Sequence, residues 1–252
     1  MENKTVTLSD VKSKEEIRTL IDAANHNLEV MGYTEHGIRH VSFVSRATSE
    51  ILRELGYDDR TVELGAIAGW VHDIGNAVNR RQHGITGAIM TSRILWTMGM
   101  PPEEVALIVG AVGNHEEDIG VPVNPVCAAL IIADKSDAHR SRVRRDKYDL
   151  NDIHDRVNLS IKKNFITVDK DQKVIRLFIY MNEISSPMEY MQIYMSRLVL
   201  CEQAALTLGC TFELIINGSA VNRKQDIAIS EEVLKGRDEL RGKKVEYQNK
   251  EG

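Results

Sequence analysis

The sequence predicts a mainly α protein: a helical bundle over residues 1–160, then a small α+β appendage of ββαβ order over residues 161–222. Three observations carry that expectation. Apolar residues recur at helical spacing through most of the first 160 positions. Composition then changes near residue 164, where Phe165-Ile166-Thr167-Val168 and residues 174–181 flank the polar turn 169–173 and read as strand, turn, strand. Finally, 252 residues with 42% apolar and 27% charged side chains bury a core with ease and exclude wholesale disorder. From residue 223 onward the chain is mostly charged, with a weak helical signal near 229–240, and reads as a solvated, partly disordered tail.

The elements follow in order. A first helix is expected over residues 15–31 and a second over 37–55, capped by Thr34 and ended by Gly56. The stripe His40, Val44, Ala47, Ile51, Leu55 points His40 where the aliphatic residues point. Residues 59–73 are apolar on most sides and are expected to form the central helix. Helices over 83–98, 102–112 and 124–145 complete the bundle; Pro101-Pro102 opens one of them where a missing N–H costs little. In the appendage, residues 187–208 are amphipathic along Met191, Tyr194, Leu198, Cys201, Ala205 and Leu208, and Gly209 stops the helix before a strand at 210–217. This unit is expected to be antiparallel, to support a homodimer or close over a pocket, and to hold no chemistry; the Tyr and Met residues of 188–195 read as core or interface.

Bulk properties exclude several functions. A net charge of -5 gives no reason to expect nucleic-acid binding. Apolar runs of about eight residues fall far short of the ~20 that span a bilayer, so no membrane association is expected. The polar N-terminus does not resemble a secretion signal. Three cysteines, never spaced as CxxC, fit reduced thiols and a cytoplasmic setting better than disulfides or a thiolate zinc site.

His72-Asp73 closes the apolar stretch 64–71 just before Gly75, and packing does not explain it. An unpartnered buried carboxylate costs several kcal/mol or more, so such groups are paired or bind metal. His40, His83, His115 and Asp134 each also sit in or beside an apolar stretch. Imidazole and carboxylate donors suit divalent Fe, Mn, Co, Ni or Zn. Four ligands make one ion plausible and six make two.

The ordered set His40, His72-Asp73-Ile74-Gly75 and Asp134 resembles the HD superfamily of metal-dependent phosphohydrolases over roughly residues 30–145. His40-Val41-Ser42-Phe43-Val44 is similar to the family's first motif, and Ile132-Ala133-Asp134-Lys135-Ser136-Asp137-Ala138 to its last. The resemblance implies a centre held by His40, His72, Asp73 and Asp134, extended to a second ion by His83 and His115, with Asp73 as the bridge. The implied reaction is attack of a metal-activated hydroxide on a small phosphate ester, in which Asp73 and Lys135 take catalytic roles. Basic residues should then face the ions; Arg80, Arg81 and Arg140 are candidates for substrate binding, with Arg142, Arg144 and Arg145 on the same stretch. His36 lies one helical turn before His40 and either lines the pocket or competes as first ligand. Glu116 and Glu117 could orient a metal-bound histidine, but exposed acids near a turn are the more economical reading.

Departures narrow the family. No Gly-Tyr-Pro follows His115, unlike the cyclic-dinucleotide phosphodiesterases of the HD-GYP type, and no acidic pair follows the doublet, unlike guanosine tetraphosphate hydrolases. The deoxynucleotide triphosphohydrolases with a longer histidine-rich second motif also fit poorly. A nucleotide or cyclic nucleotide is the expected substrate class. A non-catalytic nucleotide-binding module, or a structural protein acting through the appendage, are the alternatives.

Overall fold

The computed structural model describes residues 5–144 and 148–222; the expected tail at 223–252 and Arg145 lie outside the described residues. The described residues up to Val221 form one compact unit. Its helices are α1 (Leu8–Ser13), α2 (Glu15–Val30), α3 (Ile38–Leu55), α4 (Asp59–Val71), α5 (His83–Thr97), α6 (Pro102–Gly113), α7 (Pro125–Ser136), α8 (Ile153–Ser160) and α9 (Pro187–Thr207). Single 3-10 turns lie at Ile74–Ala77 and Arg140–Arg142. Four strands, β1 (Ile161–Asp169), β2 (Val174–Met181), β3 (Thr211–Ile216) and β4 (Ser219–Ala220), form the sheet of the described residues in the order β1-β2-β3-β4.

Local chemistry accounts for the element ends, with three departures from the sequence expectation. Thr34 does not cap α3; Gly37 does, and Glu35 rather than Thr34 accepts its backbone N–H at 2.7 Å. The helix expected over 124–145 stops at Ser136, because Asp137 leaves helical geometry and commits its carboxylate to His40 and Arg39. The short α1 and α8 give too little periodicity to read from sequence, yet a Thr7–Asp10 capping box fixes the first and Asp152 caps the second.

The bundle centres on α7. Every residue from Val126 to Ala133 is completely buried, because α3, α4 and α6 pack on this helix and α9 covers it as well. Each large aliphatic side chain so buried stabilises the fold by about 1.5–3 kcal/mol. The expected central helix, α4, is nearly as enclosed, and Gly69 lets it cross α3 closely: a Cβ there would stand 2.7 Å from the Ser45 Cα.

The appendage is not an antiparallel unit. β1 pairs with β2 and β3 with β4 in antiparallel fashion, but β2 and β3 run parallel. The reason is α9, which carries the chain back along the sheet as a crossover between them. That helix begins with a Ser186–Glu189 capping box and Pro187 in its first turn, and buries Leu198, Cys201, Ala204 and Ala205. The expected ββαβ order holds, with β4 added. Among the described residues, no helix is long and apolar enough to cross a membrane.

Candidate metal centre

Five helix ends bring six side chains together. His40 lies in the first turn of α3, His72 caps the C-terminus of α4 with Asp73 next in line, and Asp134 sits in the last turns of α7. His83 opens α5, and His115 follows the end of α6. Gly75 allows this convergence. A Cβ on it would lie 2.0 Å from the His83 carbonyl oxygen and 2.6 Å from the Gly87 nitrogen, so no larger residue lets α5 approach the His72-Asp73 turn.

Two donor sets result, sharing one carboxylate. In the first, His40 Nε2 stands 3.3 Å from His72 Nε2, 3.3 Å from Asp134 Oδ1 and 3.6 Å from Asp73 Oδ2. His72 Nε2 is 3.6 Å from both the Asp73 and Asp134 oxygens. Donors held at about 2.0–2.2 Å around a tetrahedral ion are separated by roughly 3.3–3.6 Å, so the spacing fits. In the second set, His83 Nε2 is 3.1 Å from His115 Nε2 and 3.2 Å from Asp73 Oδ1, and His115 Nε2 is 3.8 Å from that oxygen. Asp73 thus faces one set with each oxygen.

Two further observations fit a cation. Asp73 Oδ2 is buried and has no hydrogen-bond partner among the described residues, a costly state that a positive ion relieves. All four imidazoles also donate through Nδ1: His40 to Asp137 Oδ2 at 2.7 Å, His72 to the Gly69 carbonyl at 2.9 Å, His83 to the Arg80 carbonyl at 3.0 Å and His115 to the Val112 carbonyl at 2.6 Å. Each proton is thereby placed on Nδ1, and each Nε2 lone pair is aimed into the centre.

The electrostatics agree. Burial works against ionising Asp73, but His72, His115 and His83 outweigh it and hold its carboxyl well below the usual range. Burial likewise opposes charge on Asp134, and Lys135, His40 and His72 prevail. His83 is lowered by burial yet raised by Asp73 and Glu116 to about 9. The field therefore favours positive charge at His83, whereas burial, His83, His72 and Lys135 push His115 down and favour its neutral imidazole.

The structure also separates the other expected site residues. His36, Arg80 and Lys135 border the small polar cavity over Asp73, His83 and Asp134. His36 is not in the donor set: its Nδ1 donates to the Thr34 carbonyl and its Nε2 accepts from Arg142 Nη2, both at 2.7 Å. Arg81 and Arg140 are exposed and do not line this cavity. Arg81 lies in the exposed turn before α5, and the early end of α7 turns Arg140 outward while burying Arg142, which lines the cavity instead.

Four residues exceed what sequence reasoning assigned. Asp137 orients His40 and is itself gripped by Arg39; its place three residues after Asp134 was the available signal. Glu116 and Glu117 are not exposed. Glu116 is buried between the Gly84 backbone N–H and the His83 ring, and Glu117 pairs with Lys135 at 3.2 Å. Arg197, on α9, lies 2.8 Å from the same Glu117 oxygen and borders the cavity. The appendage therefore does reach the candidate site, and nothing in the amphipathic pattern of α9 marks this arginine.

No protein-family model matches this chain, and no curated protein does. Its structure is similar to that of a predicted HD superfamily hydrolase from an uncultured Thermotogales bacterium, at 25% identity over 53% of this chain and 75% of that one, with a TM-score of 0.41. Independently of that likeness, two groups of donors in this chain could each hold a metal ion: His40, His72 and the half-buried Asp134, and the buried His72, Asp73 and His115.

Proposed function

We propose that the protein is a metal-dependent phosphohydrolase of the HD type, acting on a small phosphate ester such as a nucleotide or cyclic nucleotide. The observation that carries this reading is the pair of facing donor sets joined by the two oxygens of Asp73. His40, His72, Asp73 and Asp134 would hold one divalent ion of iron, manganese, cobalt, nickel or zinc, and His83 and His115 with Asp73 a second. Such ions supply Lewis acidity toward a phosphoryl oxygen and lower the pKa of water from ~15.7 toward 7.

The chain's own residues do the remaining work. Lys135 is buried, which lowers its pKa, but Asp134 and Glu117 raise it further, so it is a fixed cation beside the donor set. It and Arg80 meet the oxyanion of the substrate. Arg142 donates to His36 and to the Asp137 carbonyl, locking the wall on the His40 side. Tyr33, stacked 5.4 Å from the Arg80 guanidinium and 44% exposed, offers a flat ring for a nucleoside leaving group. A homodimer and a cytoplasmic setting belong to the same proposal.

The test is a panel of nucleotides, cyclic nucleotides and aryl phosphates with each metal added in turn. Turnover is expected, lost in Asp73→Ala and weakened in His83→Ala or His115→Ala. Wild-type turnover by metal-loaded Asp73→Ala protein refutes the assignment.

A further inference from the structure

Glu117 lies in the segment between α6 and α7, and its Oε1 is shared by two cations from different elements: Lys135 Nζ on α7 at 3.2 Å and Arg197 Nε on α9 at 2.8 Å. All three border the cavity that also holds Asp73 and Asp134. Arg197 is steadied from its other side by the Tyr194 ring, 4.8 Å away. Its Nη1 and Nη2 have no hydrogen-bond partner among the described residues. Lys135 meets two oxygens, of Asp134 and Glu117, with three N–H donors. A lysine and an arginine fork with donors to spare, converging at the wall of a small polar cavity, are the groups that recognise a phosphate oxygen pair.

We infer that Lys135 and Arg197 form an oxyanion seat that Glu117 fills in the free protein, and that a phosphate-class oxyanion displaces the Glu117 carboxylate when it binds. The inference rests on the proposed phosphoester chemistry and deepens it. Arg197 becomes a substrate-binding residue supplied by the appendage, and Glu117 becomes the group that sets how tightly the anion is held. A purely structural role for Glu117, tying the α6–α7 segment to α9, makes the opposite prediction for affinity. Removing a tether loosens the seat, whereas removing a competitor tightens it.

The experiment is calorimetric titration of inorganic phosphate into the metal-loaded protein at fixed ionic strength, with metal content measured for every variant. Glu117→Gln should bind phosphate about tenfold more tightly, and Arg197→Ala about tenfold more weakly, with partial recovery in Arg197→Lys. Unchanged or weaker phosphate binding by folded, metal-loaded Glu117→Gln overturns the inference. Should that variant not fold, unchanged affinity in Arg197→Ala overturns it equally. Phosphate affinities that follow the expected pattern without hydrolysis of any ester uphold the seat and sink the proposed reaction. Ester turnover with phosphate affinities untouched by the substitutions sinks the seat alone.

Discussion

Replacing Asp137 with Asn changes no volume and removes one charge from behind the metal centre. The Asp137 side chain is 2% exposed; Oδ2 accepts from His40 Nδ1 at 2.7 Å and from Arg39 Nη2 at 2.8 Å, and Oδ1 accepts from Arg39 Nη1 at 3.2 Å. An amide can turn its NH2 toward His40 Nδ1. The ring proton then moves to Nε2, the atom that faces His72 and Asp134, and the lone pair there is lost. Loss of such an outer partner lowers metal affinity about 10–100-fold, or about 1.4–2.7 kcal/mol. Stability falls separately. Bonds to a charged group contribute about 1.5–3 kcal/mol each, but the Arg39 side chain is 36% exposed and water screens its share. A loss of about 2 kcal/mol is the expected sum. Chelator-competition titration with zinc and manganese measures the first quantity, and urea unfolding of the metal-free protein the second. Wild-type metal affinity in a folded Asp137→Asn variant would show that Asp137 does not set the His40 ring, and the assigned geometry would be wrong.

Gly75→Ala should cost at least about 3 kcal/mol and empty the second donor set, since its methyl would overlap the His83 carbonyl; thermal unfolding with metal analysis measures both. Acid sensitivity should track Glu117. Burial would raise its pKa, but Lys135 and Arg197 hold it at about 2 against an ordinary 4.5, so its stabilisation is complete above pH 4.5 and lost as pH falls through 2. Glu117→Gln should therefore flatten the stability profile across that window by about 3 kcal/mol at most, read from denaturant titrations at each pH. A chain cut at residue 160 should lose solubility and helicity, because α9 covers part of α7, where the first donor set gets Asp134; a soluble, metal-loaded fragment would contradict this.

Periodicity exposed the helices that bury a broad apolar face, and the donor residues stood out because charge and imidazole interrupt such faces at His40, His72-Asp73 and Asp134. What escaped reading depends on tertiary geometry. The 124–145 stretch keeps helical character in sequence, yet the pull of His40 and Arg39 on Asp137 ends the helix early and decides which arginine faces inward. Glu117 looks like any acid near a turn until Lys135 and Arg197 arrive from elements 18 and 80 residues later. The parallel pairing of β2 with β3 was equally hidden, since strand propensity carries no direction; only the path taken by α9 fixes it.

The crossover through α9 also orders events during synthesis. As the chain leaves the ribosome, the whole bundle and the first hairpin emerge before the helix that covers the buried stretch of α7 has been made. A chain paused between residues 160 and 207 is therefore a bundle with one apolar side of α7 uncovered, the kind of intermediate that associates with its neighbours. Synonymous codons that slow translation there should raise the insoluble fraction without altering a single amino acid.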